Sequence, residues 1–377
     1  MASIALSPSS RYLPKAPGSQ TEVIRVLWPQ ISDRDCSLVQ YSRFLEFVAA
    51  EIAVIGQDPS VAVQQKVLQM ISLTRSHRNS SREILLQSAL SSWHKHAKSE
   101  VEDEIWPCIK IGIHIWLGLE IIKPSDMPGA RPIEPMADSK TLITWNKESS
   151  IQSHILHYFT RSIRKTIEGN TKVETVFTMA YLVNYYGLKV YWTSNLIEHL
   201  VINWTFKTIS IYEHKICLWN NARFPNDTLL PNNIIEEALD TMNLLFPFDD
   251  PGTKSFLRKE GKTFYSLGFC GRDRVLDLKE YHYWQEPISE LVNMLKEPPR
   301  GLYQFSLDKD RKNMLQFATF WIATIVAILT ILSFMFGVLS TIYTKKSYDI
   351  TVLQYKLALA QACSVVDATV QLPEFCS

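Results

Sequence analysis

The cysteines of this 377-residue chain are few and scattered. None of them forms a C-x-x-C pair, which a structural zinc site usually requires. Their number is also small for a disulfide scaffold, which is typical of short secreted chains. The pattern predicts free, buried thiols in a reducing compartment for the six cysteines, Cys36, Cys108, Cys217, Cys270, Cys363 and Cys376.

A surplus of positive charge is also missing. The chain has 39 Lys and Arg residues against 38 Asp and Glu residues, for a formal net charge of +1. A general nucleic-acid binder needs a basic surplus or a basic stripe to displace counterions from phosphates. We therefore expect no nucleic acid among the partners of this protein.

Motifs of common enzymes and cofactor sites are absent from the sequence. It contains no G-x-S-x-G elbow, no dinucleotide glycine fingerprint and no kinase motif set. Gly261-Lys262-Thr263 resembles the end of a phosphate-binding loop, but Phe256 stands where that loop needs its first glycine. His154 and His157 share a helical spacing, yet they lack a third ligand for a metal ion. The sequence predicts no cofactor and no metal site.

Two dipeptides pair a carboxylate with an imidazole: Glu198-His199 and Glu213-His214. They flank a predicted β-hairpin, which could bring them together as an acid-base or metal cluster. Neighbouring residues in a strand face opposite sides, so each dipeptide can supply only one converging group. The competing interpretation is a structural cluster that holds the strand ends. The four residues remain the catalytic candidates of an alternative, enzymatic interpretation.

An uncharged apolar run extends from Met314 to Thr344 near the C-terminus. About twenty apolar residues in a helix cross the hydrocarbon core of a bilayer, and this run is longer. Trp321 and Tyr343 lie toward its two ends, where amphipathic aromatic side chains suit the membrane interfaces. The run predicts one transmembrane helix and makes the lipid bilayer an expected partner.

The N-terminus favours a cytosolic location for the residues that precede the helix. Residues 1–20 contain no signal-peptide core, because Arg11, Pro14, Lys15 and Pro17 interrupt the apolar residues. A domain without an export signal is expected to stay in the cytosol. The alternative is a lumenal or extracellular domain, in which three N-x-S/T sequons would be available for glycosylation, at Asn79, Asn203 and Asn226.

Hydrophobic periodicity predicts a mainly α fold, of the α+β kind, with a small β insert. The domain plan is a disordered segment at 1–30, an α-rich globular domain at 31–290 with short strands near 188–212, a linker at 291–313, a transmembrane helix at 314–344 and a short C-terminal tail at 345–377. Within the domain, Thr171–Tyr186 is predicted as a helix with a capping box formed by Thr171 and Glu174. Ile105–Ile122 is predicted as a buried helix, and residues 249–299 as irregular structure.

Four short segments resemble a group of uncharacterised fungal proteins with a C-terminal membrane anchor. They are W-T-S-N-L-I-E-H-L at 192–200, I-S-I-Y-E-H at 209–214, E-E-A-L-D-T-M-N-L-L-F-P at 236–247 and T-F-W-I-A at 319–323. The resemblance covers roughly the C-terminal half and implies a tethered domain, without an activity. The leading functional hypothesis is therefore a non-enzymatic interaction or scaffolding domain at a membrane surface, with an unknown protein partner. The alternative is a membrane-bound enzyme that uses the Glu/His residues near 198–214.

Overall fold

The computed structural model describes residues 17–32, 36, 38–55, 61–93, 98–126, 142–162, 171–296, 314–364 and 374. Contacts within the chain divide it into two compact units, residues 1–300 and residues 301–377. The predicted α-rich fold with a small β insert is confirmed, since helices dominate the first unit and its strands are short.

The described part of the first unit contains eleven α-helices. They are α1 (Pro17–Leu27), α2 (Leu38–Ala53), α3 (Val61–Ser76), α4 (Arg82–Ser92), α5 (Lys98–Leu117), α6 (Ile151–Ser162), α7 (Met179–Tyr186), α8 (Lys215–Arg223), α9 (Asn232–Leu245), α10 (Pro251–Lys259) and α11 (Gln285–Lys296). Their apolar faces meet in one core cluster, in which α5 and α9 are the most deeply buried helices. Trp28, Trp116 and Trp145 are among its largest fully buried side chains, and each contributes on the order of 2–3 kcal/mol of burial.

The first helix departs from the disorder predicted for residues 1–30. Residues 1–16 lie outside the described residues, but α1 begins at Pro17 and buries Val23, Ile24 and Leu27. Trp28 follows it, fully buried, and donates its indole N–H to Asn221 Oδ1 at 2.9 Å. Apolar burial against residues far along the chain therefore orders this segment, and a local composition signal could not reveal it.

The strands form two small sheets. Strands β1 (Ile121–Ile122) and β2 (Ile143–Thr144) pair in parallel. In the second sheet the order is β3-β5-β4, with β3 at Lys189–Thr193, β4 at Ile202–Asn203 and β5 at Thr208–Tyr212. The predicted hairpin exists as the antiparallel β4–β5 pair. Strand β3 lies parallel to β5, so their C-terminal ends meet at one edge.

The helix predicted over Thr171–Tyr186 is shorter in the structure. Only α7 forms, with Thr178 as N-cap accepting the amide of Tyr181 at 3.2 Å, while Gly187 ends the helix in the left-handed conformation. Residues 171–173 are instead held by the backbone of 276–278, through Val173 N to Leu276 O and Leu278 N to Thr171 O, both 2.8 Å. Tertiary pairing thus prevents the predicted capping box.

The segment predicted as irregular, 249–299, contains two helices. Asp250 caps α10 by accepting the amide of Thr253 at 2.7 Å, and Pro251 occupies the first turn, where a missing N–H costs nothing. Helix α11 ends at Lys296, so it continues into the stretch assigned to the linker at 291–313. Residues 297–313 lie outside the described residues.

The second unit contains one long helix, α12 (Met314–Cys363). Within the described residues it is the one helix long and apolar enough to cross a membrane by length and composition, over Phe317–Cys363. It continues through the first part of the tail predicted at 345–377. Apolar side chains along its length are exposed, among them Phe334, Phe336 and Ile331.

Candidate functional site

The parallel pairing of β3 and β5 brings two segments of the sequence to one edge of the sheet. Ser194 and Asn195 follow β3, and Glu213 and His214 follow β5. The amide of Glu213 donates to the carbonyl of Thr193 at 3.0 Å, which extends the pairing past the strand ends. Ligands of open sheets with parallel strands bind outside the carboxyl ends of the strands. This strand-end edge is therefore the candidate site.

The His199 side chain is buried in the interior of the domain. It is 2% exposed, and burial lowers its pKa to about 3. Its Nδ1 accepts the amide of Tyr212 at 3.2 Å, so the neutral ring carries its proton on Nε2 and donates to Thr241 Oγ1 at 2.7 Å. Both ring nitrogens are thus used in the fold, and His199 has the contacts of a structural residue.

Glu198 holds the turn that follows β3. Its Oε2 accepts the hydroxyl of Thr193 at 2.6 Å, and Thr193 Oγ1 in turn accepts the amide of Asn195 at 3.1 Å. Asn195 Oδ1 then caps the short 3-10 turn by accepting the amide of Ile197. Glu198 therefore fixes the backbone that carries Ser194 and Asn195 at the edge.

Glu213 forms an ion pair with Lys262, whose ammonium group also lies 4.8 Å from the centroid of the Trp192 ring. Lys262 belongs to the Gly261-Lys262-Thr263 segment, so the lysine that resembles a phosphate ligand neutralises a carboxylate. The pair is partly exposed, with 20% and 28% of the lysine and glutamate side chains accessible. The edge thus carries no isolated charge at this point.

His214 is buried against aromatic rings. Its ring centroid lies 4.1 Å from that of Phe47 and 5.6 Å from that of Phe44. Burial lowers its pKa to about 4, so the ring is neutral near pH 7. Its Nε2 has no hydrogen-bond partner within the described part of the chain. In the part of the chain that the structure describes, no hydrogen bond joins any two of the four candidates Glu198, His199, Glu213 and His214.

A second arrangement at this edge was not predicted from the sequence. His114 Nε2 lies 3.0 Å from Ser194 Oγ, and His114 Nδ1 lies 3.2 Å from Glu51 Oε2. The three residues come from α5, the turn after β3, and α2. Phe47 meets the His114 ring edge-on at 5.5 Å and also packs on His214. In the sequence, His114 stands out only as a polar residue that interrupts an apolar run. Its partners lie 63 and 80 residues away along the chain, so no local pattern links the three residues.

Metal ligation finds no support at this edge. Within the described ranges, no group of three or more His, Cys, Asp or Glu side chains is placed to hold a metal ion. The chemistry that the geometry allows is proton transfer between a hydroxyl, an imidazole and a carboxylate.

Comparisons with known proteins give no further assignment. No family model, curated protein or solved structure matches this chain. The resemblance to fungal proteins with a membrane anchor therefore stays a prediction.

Proposed function

We propose that this chain is a single-pass membrane protein whose helical domain acts at the cytosolic membrane surface as an interaction or scaffolding domain. The length of the uncharged part of helix α12 supports the assignment of a membrane anchor. Its 31 uncharged residues, Met314–Thr344, extend about 46 Å at 1.5 Å per residue, more than the roughly 30 Å of a hydrocarbon core. In lipid a continuous helix satisfies its own backbone hydrogen bonds.

The state of the cysteines supports the cytosolic side for the domain. Cys108, Cys217 and Cys270 are free thiols, as the sequence predicted for the domain. Cys363, at the end of α12, is disulfide-bonded, contrary to the prediction of free thiols throughout. Disulfides persist in oxidising compartments and are rare in the cytosol. A spanning helix with the domain inside and the tail outside accounts for both states.

The single observation that carries the interaction function is an exposed apolar patch on the three-stranded sheet. We define the hairpin surface as Tyr191, Val201, Trp204 and Phe206, whose exposures are 62%, 47%, 45% and 63%. Tyr191 pairs with Ser210, and the Ser210 amide donates to the carbonyl of Val201 at 2.9 Å, so Tyr191 and Val201 flank the same residue of β5, while Trp204 and Phe206 lie in the turn that joins β4 to β5. Exposed patches with aromatic residues are typical of protein interfaces.

The surroundings of the hairpin surface favour a protein partner with an acidic rim. Lys189 and Lys207 are both exposed, and the amide of Lys189 donates to the carbonyl of Lys207 at 2.8 Å. Trp204 is held in place by its indole N–H, which donates to Glu290 Oε2 of α11 at 2.8 Å. A fixed tryptophan beside two cations fits the aromatic anchor and polar rim of an interaction site.

Site-specific photo-cross-linking tests the proposal. A photoreactive amino acid replaces Phe206 or Tyr191 in the full chain, in native membranes, and Val39 or Val54 as controls. The two control valines are 78% and 77% exposed, so they match the accessibility of the hairpin residues. We expect one discrete protein adduct at Phe206 and Tyr191 that is missing at the controls. Lipid adducts alone, equal adducts at the controls, or no adducts would overturn the interaction function.

A further inference from the structure

The chemistry of its two partners assigns the donor and the acceptor nitrogen of the His114 ring. The Glu51 carboxylate can only accept, so the 3.2 Å contact to its Oε2 places the proton of a neutral His114 on Nδ1. Nε2 is then an acceptor, and the Ser194 hydroxyl, 3.0 Å away, is the donor. A carboxylate therefore orients an imidazole whose free nitrogen faces a hydroxyl. This is the arrangement that activates a serine nucleophile.

The burial of the three side chains suits this role. The His114 side chain is 9% exposed, which limits competition from water for its ring nitrogens, while the Glu51 side chain is 26% exposed. Ser194 is partly exposed and follows directly after β3. Helices α2 and α5 hold Glu51 and His114, and the turn that carries Ser194 is fixed by the hydrogen bonds among Thr193, Asn195 and Glu198.

A second observation lies beside this arrangement. His214 packs against Phe47, the same ring that meets His114 edge-on. The His214 side chain is buried, and its Nε2 has no hydrogen-bond partner in the described part of the molecule. A buried polar atom left without a partner is destabilising, and a hydrogen bond from a bound ligand removes that cost.

We propose that Ser194 is the nucleophile of an acyl-transfer site for a carboxylic ester, with His114 as general base and Glu51 as the residue that positions it. Ser194 Oγ attacks the ester carbonyl carbon, and its proton passes to His114 Nε2. The bond to the alkoxy oxygen breaks, and the alcohol leaves with that proton. Water then attacks the acyl-serine in the same way, which releases the acid and restores Ser194. No oxidant, metal ion or cofactor takes part.

A fluorophosphonate probe tests this site without a known substrate, because it reacts with activated serine hydroxyls. The full-length protein is labelled in detergent, and the modified peptide is identified by mass spectrometry. We expect labelling at Ser194, complete loss in Ser194→Ala, and a loss of 100-fold or more in rate in His114→Gln, the usual contribution of a general base. Glu51→Gln lowers the rate less, and Ser210→Ala, a partly exposed serine on the same sheet, labels as the unmodified chain does.

Thermal unfolding of each variant accompanies the labelling. Ser194→Ala removes one oxygen from a partly exposed residue, so it keeps the fold and remains decisive even where His114→Gln unfolds. Absence of labelling above a heat-denatured sample would overturn the proposal, as would labelling that persists in Ser194→Ala. Failure of this site leaves the interaction function standing, because the hairpin surface is tested by cross-linking and not by reactivity.

Discussion

The indole N–H of Trp284 donates to the main-chain carbonyl of His199 over 3.0 Å, and the two rings meet edge-to-face with centroids 5.4 Å apart. The contact ties the residue just before α11 to the turn between β3 and β4. Together with the bonds from His199 to Thr241 and Tyr212, it places a neutral imidazole at a junction of three parts of the domain.

Acidification is expected to destabilise the domain through this histidine. The pKa of His199 is lowered to about 3 in the fold, below its usual value near 6.5. Below about pH 6.5 the unfolded chain therefore binds a proton that the folded chain does not, and stability falls with pH until about pH 3. His214, with a pKa lowered to about 4, acts in the same direction. Each contributes a slope of up to about 1.4 kcal/mol per pH unit.

Denaturant unfolding of His199→Gln at pH 7, 6 and 5 checks this prediction. We expect about 1–3 kcal/mol less stability at pH 7, because buried partners lose their bonds, together with a shallower slope toward pH 5. His157→Gln, which changes an exposed histidine of α6, is the control and should leave both quantities unchanged. An unaltered pH slope in His199→Gln would contradict the structural role.

Gly118 should tolerate no side chain. It has a φ of 65°, and a Cβ there would lie 2.5 Å from Tyr212 Oη. Gly118→Ala therefore adds a clash with a buried tyrosine to the cost of about 1–2 kcal/mol for a left-handed alanine. Gly261→Ala is the matched control, because Gly261 has a φ of 68° and open space around it. Equal unfolding midpoints for the two variants would exclude the close approach at Gly118.

Arginine substitutions in α12 should release the chain from membranes. Each arginine at the centre of a spanning helix costs roughly 2.5–3.5 kcal/mol on insertion scales, so three together cost roughly 8–10 kcal/mol. We expect a chain with Ile325→Arg, Leu329→Arg and Leu332→Arg to appear in the supernatant after alkaline extraction. A chain with Val39→Arg and Val54→Arg, at exposed positions of the domain, should remain in the pellet with the unmodified chain.

Local patterns predicted those parts of the fold that local sequence controls. Helix α9 (Asn232–Leu245) belongs to the predicted α-rich domain, and it has a regular apolar spacing and Pro247 after it. Short strands were predicted near 188–212, and β3, β4 and β5 all lie within that range. The residues 171–178 were wrongly predicted as helical, since their start is paired with a segment a hundred residues away. No local pattern reports such a pairing.

The candidate site was predictable only in part. The sequence identified Glu213 and His214 as candidates for an acid-base or metal cluster, and the structure places both at the strand-end edge. The parallel placement of β3 beside β5 was not expected, and it decides which residues share that edge. Glu51, His114 and Ser194 carry no motif, because three separate elements bring them together in space. Their association follows from packing, which a single sequence does not display.

The most direct test of the account is protease protection of the full chain in intact, cytosolic-side-out membrane vesicles, with one tag at each end. A spanning α12 with the domain on the cytosolic side predicts that protease removes the N-terminal tag without detergent. The C-terminal tag is then protected until detergent opens the vesicles. Protection of the N-terminal tag would contradict the cytosolic domain and make Asn79, Asn203 and Asn226 available for glycosylation. Digestion of both tags without detergent would contradict a spanning helix.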